Sequence, residues 1–483
     1  MTRDLSGARA VVLGLGHFGG GLGVARWLVE QGARVTVTDR AGADLLAAPA
    51  AELAPLGVEL VLGGHEGVDF GAADLLVVNP AVPWDAPPVA TARAAGVEVT
   101  SEMALLLERW PGRVLGITGS NGKTTTCALA HALLQAARVP SVLGGNMGGS
   151  LLGRLAGAGP DDIAVVEISS FMLEVLAERG LGPDVAVITN ITPNHLDRHA
   201  SFEAYREAKA AILERARYAV LFHDDPWLRE RAADFHGQTL WFGSRGELTV
   251  DAGGNLLDRF GGVALANADN PLRGRMNRLN LAAALLGVTA TLADEVRAHR
   301  ALPGALELFQ PAPQRLQVVA TADEITWIND SASTTPESTA ASIEAVGGTC
   351  LLIAGGHDKG LDASVLVEGA RGRVRLALTL GEQAEPLAGR LMAEGIAAEA
   401  LGTLTAAVAR AARLARPGEV VLLSPGYSSH DQFTNFAERG EAFRREVERV
   451  IREGATRHGG TTADSAGPDR KNGPRTDRRD AGA

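Results

Sequence analysis

The stretch Gly116-Ile117-Thr118-Gly119-Ser120-Asn121-Gly122-Lys123-Thr124 carries the residue types that cradle a nucleoside triphosphate. Glycines let successive backbone N–H groups curl around phosphate oxygens at a helix N-terminus. Lys123 would reach the β- and γ-phosphates, and the Thr124 hydroxyl is a Mg²⁺ ligand. The spacing departs from the usual GxxxxGK[ST], because Ile117 stands at the first glycine position. The plain alternative is a Gly-rich turn with a solvated lysine. An apolar run before the loop and a helical pattern after it favour the phosphate reading.

Other reactive groups sit where apolar runs end. Glu167 closes the run 163–168 and is followed by Ser169-Ser170-Phe171. A carboxylate at a strand's carboxyl end, beside a phosphate loop, suits Mg²⁺. The next run, 185–189, leads into Asn190-Ile191-Thr192-Pro193-Asn194-His195. A single histidine in a polar loop is more often solvated or structural than a ligand, and Lys209, in a helical segment, would ordinarily face solvent. Near the N-terminus, Gly14-Leu15-Gly16-His17-Phe18-Gly19 matches GxGxxG, with Asp39 closing the following strand. That pattern fits any nucleotide or a bare turn, and Asp39 offers acceptors to sugar or base groups. In the C-terminal third, loops at Asn329-Asp330-Ser331, Gly355–Lys359 and Ser424–Ser429 would share one sheet rim.

The elements that must position these groups alternate between strands and helices, which predicts parallel sheets with right-handed crossovers. The fold class is α/β, with three domains at 1–110, 111–312 and 313–453 and a polar, disordered tail at 454–483. The break near Trp110-Pro111-Gly112 and the Pro-rich stretch 303–313 are the expected linkers. Residues 238–260 read as short hairpins, and 277–287 as a helix. Of 483 residues, 46% are hydrophobic and 21% charged, ordinary for a globular chain. The net charge of −11 argues against nucleic-acid or anionic-membrane binding, and no apolar run is long enough to span a bilayer. Cys127 and Cys350 show no CxxC spacing and read as buried thiols in a reducing compartment.

With these segments placed, the chain resembles the Mur ligases over about residues 5–452. The discriminating pieces are GITGSNGKTTT, EISSFMLE, TNITPNHLDRH, YREAK, WINDSASTTPEST and SPGYSSHDQFTNFAERGEAF. The last two favour the glutamate-adding branch. The resemblance implies a Rossmann-like UDP-binding domain, a central P-loop ATPase domain and a Rossmann-like C-terminal domain. It implies ATP-dependent addition of D-glutamate to UDP-N-acetylmuramoyl-L-alanine through an acyl phosphate, in cytoplasmic peptidoglycan precursor synthesis. The alternatives are the same ligation with L-glutamate, folylpolyglutamate synthesis, or a non-catalytic UDP-sugar-binding protein.

Carried over residue by residue, the resemblance implies that Gly119, Ser120, Asn121, Gly122, Lys123, Thr124 and Thr125 hold the ATP phosphates. Asn277, Asn280, Arg315 and Asp330 match nucleotide-binding positions. Two Mg²⁺ sites would use Thr124, Glu167, His195 and Lys209, the last as a carbamate. A lysine ammonium repels Mg²⁺, whereas its carbamate supplies an anionic oxygen. Leu15, His17, Asp39 and Arg40 fall at the uridine-diphosphate site, and Asn146 and Ser169 face the muramoyl-alanine part. Thr334, Lys359, Ser429 and Phe436 fall on glutamate-binding positions. The chain departs from its relatives at His17, where Thr is common, and at Ala332, where a lysine grips the amino-acid carboxylate. Ser333 or a neighbouring N–H is expected to take over that grip. The enzyme is expected to act as a monomer.

Overall fold

Apolar runs that end in glycine-rich turns build three successive sheets. The computed structural model describes residues 4–16, 19–195, 198–266, 272, 274–311 and 313–459.

The first domain comprises β1 (Arg9–Leu13), α1 (Gly20–Glu30), β2 (Arg34–Asp39), α2 (Ala47–Leu53), β3 (Glu59–Leu62), β4 (Leu75–Val78), α3 (Pro87–Ala94), β5 (Glu98–Thr100) and α4 (Glu102–Arg109). Its strands lie in the order β3-β2-β1-β4-β5, all parallel. That is the doubly wound arrangement, with a crevice where the order reverses beside β1.

The second domain opens with β6 (Val114–Thr118), α5 (Lys123–Ala136), β7 (Ser141–Gly145), β8 (Ile163–Glu167), α6 (Ser170–Glu178) and β9 (Val185–Ile188). It continues through α7 (Phe202–Ala210), β10 (Tyr218–Phe222), α8 (Pro226–Ala232), β11 (Gln238–Gly243), β12 (Leu248–Val250), β13 (Leu256–Asp258) and β14 (Val263–Leu265). Helices α9 (Arg275–Leu292), α10 (Glu295–Arg300) and α11 (Leu302–Leu308) complete it. The strand order is β14-β13-β12-β11-β10-β9-β6-β8-β7. The expected hairpins are corrected in part. β11 runs parallel to β10 and β12, because α8 carries the chain back across the sheet, and only β12-β13-β14 is antiparallel. The expected linker at 303–313 is also corrected. Pro303 lies in the first turn of α11, where its missing N–H would be unpaired anyway.

The third domain holds β15 (Gln317–Ala322), β16 (Ile325–Asn329), α12 (Pro336–Val346), β17 (Cys350–Gly355), α13 (Ser364–Ala370) and β18 (Val374–Leu380). Then follow α14 (Ala384–Ala393), β19 (Ala398–Gly402), α15 (Leu404–Leu414), β20 (Val420–Leu423) and α16 (Phe436–Gly459). The sheet order is β15-β16-β20-β17-β18-β19, parallel except for the edge strand β15. Helix α16 runs to Gly459, five residues past the expected tail start at 454, and residues 460–483 lie outside the described set. Both cysteines are buried and unpaired. No helix among the described residues is long and apolar enough to cross a membrane.

Candidate active site

Strand β6 lies between β8 and β9, so Thr118, Glu167 and Ile188 end side by side. The loop after β6 is pinned by the residues that follow β9. Ser120 N donates to Asn190 O (2.9 Å), Asn121 N to Asn190 Oδ1 (3.0 Å), and Thr189 Oγ1 to Asn121 O (2.6 Å). This bracing holds the loop although Ile117 replaces the first glycine. Gly122 has φ 83°, and a Cβ there would sit 2.2 Å from Asn280 Oδ1, so nothing larger fits. Lys123 Nζ donates to Gly119 O (2.8 Å) and Ser120 O (2.9 Å). Burial lowers its pKa against the pull of Glu167, and Arg315 adds to the lowering.

Glu167 is buried at the end of β8 and accepts from the Thr124 hydroxyl (2.7 Å) and Asn146 Nδ2 (2.8 Å). Lys209 corrects the solvent-facing expectation: it is 1% exposed, because α7 lays it across the end of β6. Its Nζ lies 3.2 Å from Thr118 Oγ1 and 4.8 Å from the Tyr205 ring centroid. Burial pushes this amine well below the usual lysine range, Lys123 pushes the same way, and Glu167 opposes them. His195 adopts φ 54° and packs edge-on against Phe171 at 5.2 Å. Ser169 caps α6, accepting from Met172 N at 3.3 Å. Among the described residues no group of three or more His, Cys, Asp and Glu is gathered for a metal. One buried carboxylate and a hydroxyl suit Mg²⁺, which takes few protein oxygen ligands and completes its shell with phosphate oxygens and water.

A cavity of about 500 Å³ opens between the second and third domains. Asn121, Gly122, Thr125, Asn277, Asn280, Arg315 and Asp330 all line it. Its apolar wall includes Phe222, Met276, Phe309, Pro311 and Val346, residues with no polar motif to mark them in the sequence. Asp330 is held from behind: Oδ2 accepts from Ser342 (2.6 Å) and Ser424 (2.8 Å), and Oδ1 from Leu316 N (3.1 Å). Burial raises its pKa against hydrogen bonds from Ser333, Ser342 and Ser424. Ser333 therefore points at Asp330 and the cavity instead of taking the grip that Ala332 lacks.

A smaller cavity of about 210 Å³ lies at the switch point of the first sheet, lined by Gly14, Gly16, Asp39, Arg40, His65 and Asn79 among others. Asp39 shapes the loop from within: Oδ2 accepts from Leu15 N (2.8 Å) and Gly16 N (3.1 Å). The Leu15 side chain is fully buried in the core, so only its backbone belongs to the loop. His17 lies outside the described residues. His65 and Asn79 were not legible as site residues, since neither closes a recognisable motif.

The loops carrying Thr334, Lys359, Ser429 and Phe436 are tied together through their backbones. His357 N donates to Ser428 O (2.9 Å), Gly426 N to Ser333 O (2.9 Å), and Ser331 Oγ to Phe436 O (2.8 Å). Ser429 is buried, whereas Phe436 is 37% exposed. Arg439, which the sequence reading missed in a charge-rich helix, is fully buried beneath them. Its guanidinium reaches Ser331 O (3.0 Å), Tyr427 O (3.1 Å) and Ser428 O (3.2 Å), and burial lowers its pKa to about 10.

Comparison with known proteins matches this architecture domain by domain. The model for the Mur ligase MurD-like N-terminal domain covers residues 8–101, that for the Mur ligase middle domain 117–288, and that for the Mur ligase glutamate ligase domain 314–426. A UDP-N-acetylmuramoylalanine–D-glutamate ligase from Roseiflexus sp. (strain RS-1) is 39% identical, covering 92% of this chain and 99% of the relative. One of the same name from Myxococcus xanthus is 38% identical, covering 93% and 100%. Among solved structures, a UDP-N-acetylmuramate–alanine ligase from Thermotoga maritima shares the fold with TM-score 0.59 at 19% identity, covering 93% of this chain and all of that one. Folylpolyglutamate synthase from Mycobacterium tuberculosis also shares it, with TM-score 0.53 at 17% identity, but covers 71% of this chain and 93% of its own. With three family models in order along it and relatives above 35% identity across nine-tenths of its length, the chain belongs to the Mur ligase family.

Proposed function

We propose that this chain is an ATP-dependent ligase that adds D-glutamate to UDP-N-acetylmuramoyl-L-alanine in peptidoglycan precursor synthesis. The observation that carries the reading is the cavity between the second and third domains, where the phosphate loop faces Arg315 and Asp330. The full-length likeness to D-glutamate ligases supports the choice of substrates.

The chemistry follows from the difficulty of the reaction. A carboxylate is a poor acyl donor, so the alanyl carboxylate first takes the γ-phosphoryl group of ATP and becomes an acyl phosphate. The glutamate amine attacks that carbonyl, and phosphate leaves from the tetrahedral intermediate. Gly119–Thr125 cradle the phosphates, and Lys123 neutralises charge that develops on the transferred group. Asn277, Asn280, Arg315 and Asp330 orient the nucleotide. Mg²⁺, when bound at two sites, supplies positive charge to phosphate and acyl oxygens. Thr124 and Glu167 would hold one ion, and His195 and a carbamylated Lys209 the other. Asp39 and Arg40 shape the uridine-diphosphate pocket with the Leu15 backbone and His17, while Asn146 and Ser169 face the muramoyl-alanine arm. Thr334, Lys359, Ser429 and Phe436 receive glutamate. Closure of the third domain keeps water from the acyl phosphate.

Domain boundaries at 110/111 and 312/313 fit this division of labour. Since one chain carries every residue the reading needs, the enzyme acts as a monomer, in the cytoplasm where its nucleotide substrates are made. The acyl phosphate has a direct test. With ¹⁸O in the alanyl carboxylate, one label should appear in released phosphate, and unlabelled phosphate would overturn the mechanism.

A further inference from the structure

The phosphate-loop reading gives Thr118 no task, yet its side chain is buried against the least ordinary group in the site. Thr118 ends β6 and is fully buried. Its carbonyl is fixed by Thr189 N (3.0 Å) and Thr189 Oγ1 (3.3 Å), which leaves its hydroxyl for Lys209. Thr118 Oγ1, at 3.2 Å, is the one hydrogen-bond acceptor that the described residues give Lys209 Nζ. The Tyr205 ring packs along the amine, 4.8 Å from the centroid.

We propose that Thr118 is the positioning residue for the Lys209 carbamate, its hydroxyl accepting the carbamate N–H and fixing rotation about the Cε–Nζ bond. This rests on the reading of Lys209 as a carbamate. The stoichiometry of donors carries it. A lysine ammonium has three N–H donors and a neutral amine two, but a carbamate nitrogen keeps one, which a single acceptor satisfies. A buried donor without a partner is unfavourable, so the single Thr118 acceptor at 3.2 Å matches the one N–H that the carbamate keeps. In the step itself the unprotonated Lys209 nitrogen adds to the carbon of CO₂. A C–N bond forms, one C=O electron pair moves onto oxygen, and the surplus N–H proton passes to water or bicarbonate.

The test uses the full chain with Mg²⁺ and without nucleotide, titrated with ¹³C-bicarbonate and read by the carbamate ¹³C resonance. Lys209→Ala identifies the signal. Thr118→Val should need about tenfold more CO₂ for half occupancy, the effect of losing one hydrogen bond from a buried donor, whereas Thr118→Ser should stay within about threefold of wild type. Thr118→Ala replaces Thr118→Val in the comparison if the valine variant does not fold. Equal CO₂ dependence in the variant lacking the hydroxyl and in wild type overturns the role of Thr118 and leaves the carbamate standing. A wild-type spectrum without a Lys209-dependent signal overturns the carbamate reading itself, and this proposal with it.

Discussion

The two seams between domains are built in opposite ways. At the seam of the first and second domains a single apolar cluster runs through both, joining Leu28, Met103 and Leu106 to Leu152, Leu173 and Leu176. Polar clamps surround it. Arg179 reaches Glu98 (3.0 Å), Glu108 (2.6 Å) and Val99 O (2.9 Å), and Arg198, stacked 3.8 Å over Phe171, reaches Val82 O (3.2 Å). At the seam of the second and third domains the cores stay separate, and the third sheet buries its two faces in clusters of its own. There the domains enclose a cavity of about 500 Å³ and meet where Gly274 lies so near Ala345 that a Cβ would clash at 2.5 Å. An apolar, ion-paired seam behaves as one body, while one that encloses a cavity is a place for ligand and for motion. The difference predicts that damage to the second seam shows in kinetics and damage to the first in stability.

The largest effect should come from the phosphate loop facing the second seam. Lys123→Ala removes a charge that acts on the transferred phosphoryl group, and kcat should fall at least ~100-fold. Its melting temperature should stay near wild type, since the desolvation cost of burying the ammonium offsets its hydrogen bonds to Gly119 O and Ser120 O. Substrate-dependent phosphate release measures it, and near-normal turnover would rule out the ATPase role. Next comes Arg315→Ala, which strips the third domain's cation from the cavity. KM for ATP should rise by roughly tenfold, the value of one charge-assisted hydrogen bond, with little change in Tm.

Arg179→Met is the counterpart at the first seam. The Arg179 side chain is 22% exposed and bonds two carboxylates, so the loss should be about 1–2 kcal/mol, between surface and buried pairs. Denaturant unfolding should show it while KM for ATP stays unchanged. If KM moved and stability did not, the contrast between seams would collapse.

A last effect, read in pH dependence, concerns Glu102, which opens α4 at the first seam, beside α1 and the Ser150 loop. Burial raises its pKa from 4.5 to about 7, against hydrogen bonds from Ser150 and Leu151. The folded state therefore holds this proton more tightly than the unfolded chain does. Its contribution is fully present below pH 4.5 and is lost as pH rises toward 7. Glu102→Gln should flatten the decline in stability between those values, and an unchanged slope would show that another group titrates.

What the sequence made legible follows from burial. Strands buried on both faces are continuous apolar runs, and β8 and β9 lie where those runs predict. Half-polar or glycine-bearing strands such as β3 (ELVL) and β7 (SVLGG) carry no such run and escaped notice. Loop residues at strand ends could be picked out because parallel sheets gather them on one rim. Side chains whose burial depends on tertiary placement could not. Lys209 and Arg439 sit in charge-rich helical segments that read as solvent-facing, and only packing against β6 and the 427–429 loop turns them inward. His65 enters the cavity of the first domain from a connection after β3 with no local pattern.

The central claim is the identity of the reaction, and the glutamate side is its sharpest point, because Ala332 stands where the family resemblance leads one to expect a gripping lysine. Ala332 N donates to Gln314 O at 3.1 Å, and Ser333 lines the cavity between the second and third domains, so neither supplies a cation. Thr334, Lys359 and the buried Ser429 remain on loops that Arg439 holds together. The deciding measurement is kcat/KM for phosphate release from ATP with UDP-N-acetylmuramoyl-L-alanine and each glutamate enantiomer in turn. Turnover that requires both substrates and strongly prefers D-glutamate is the predicted result. A clear preference for L-glutamate, or phosphate release indifferent to glutamate, would contradict it.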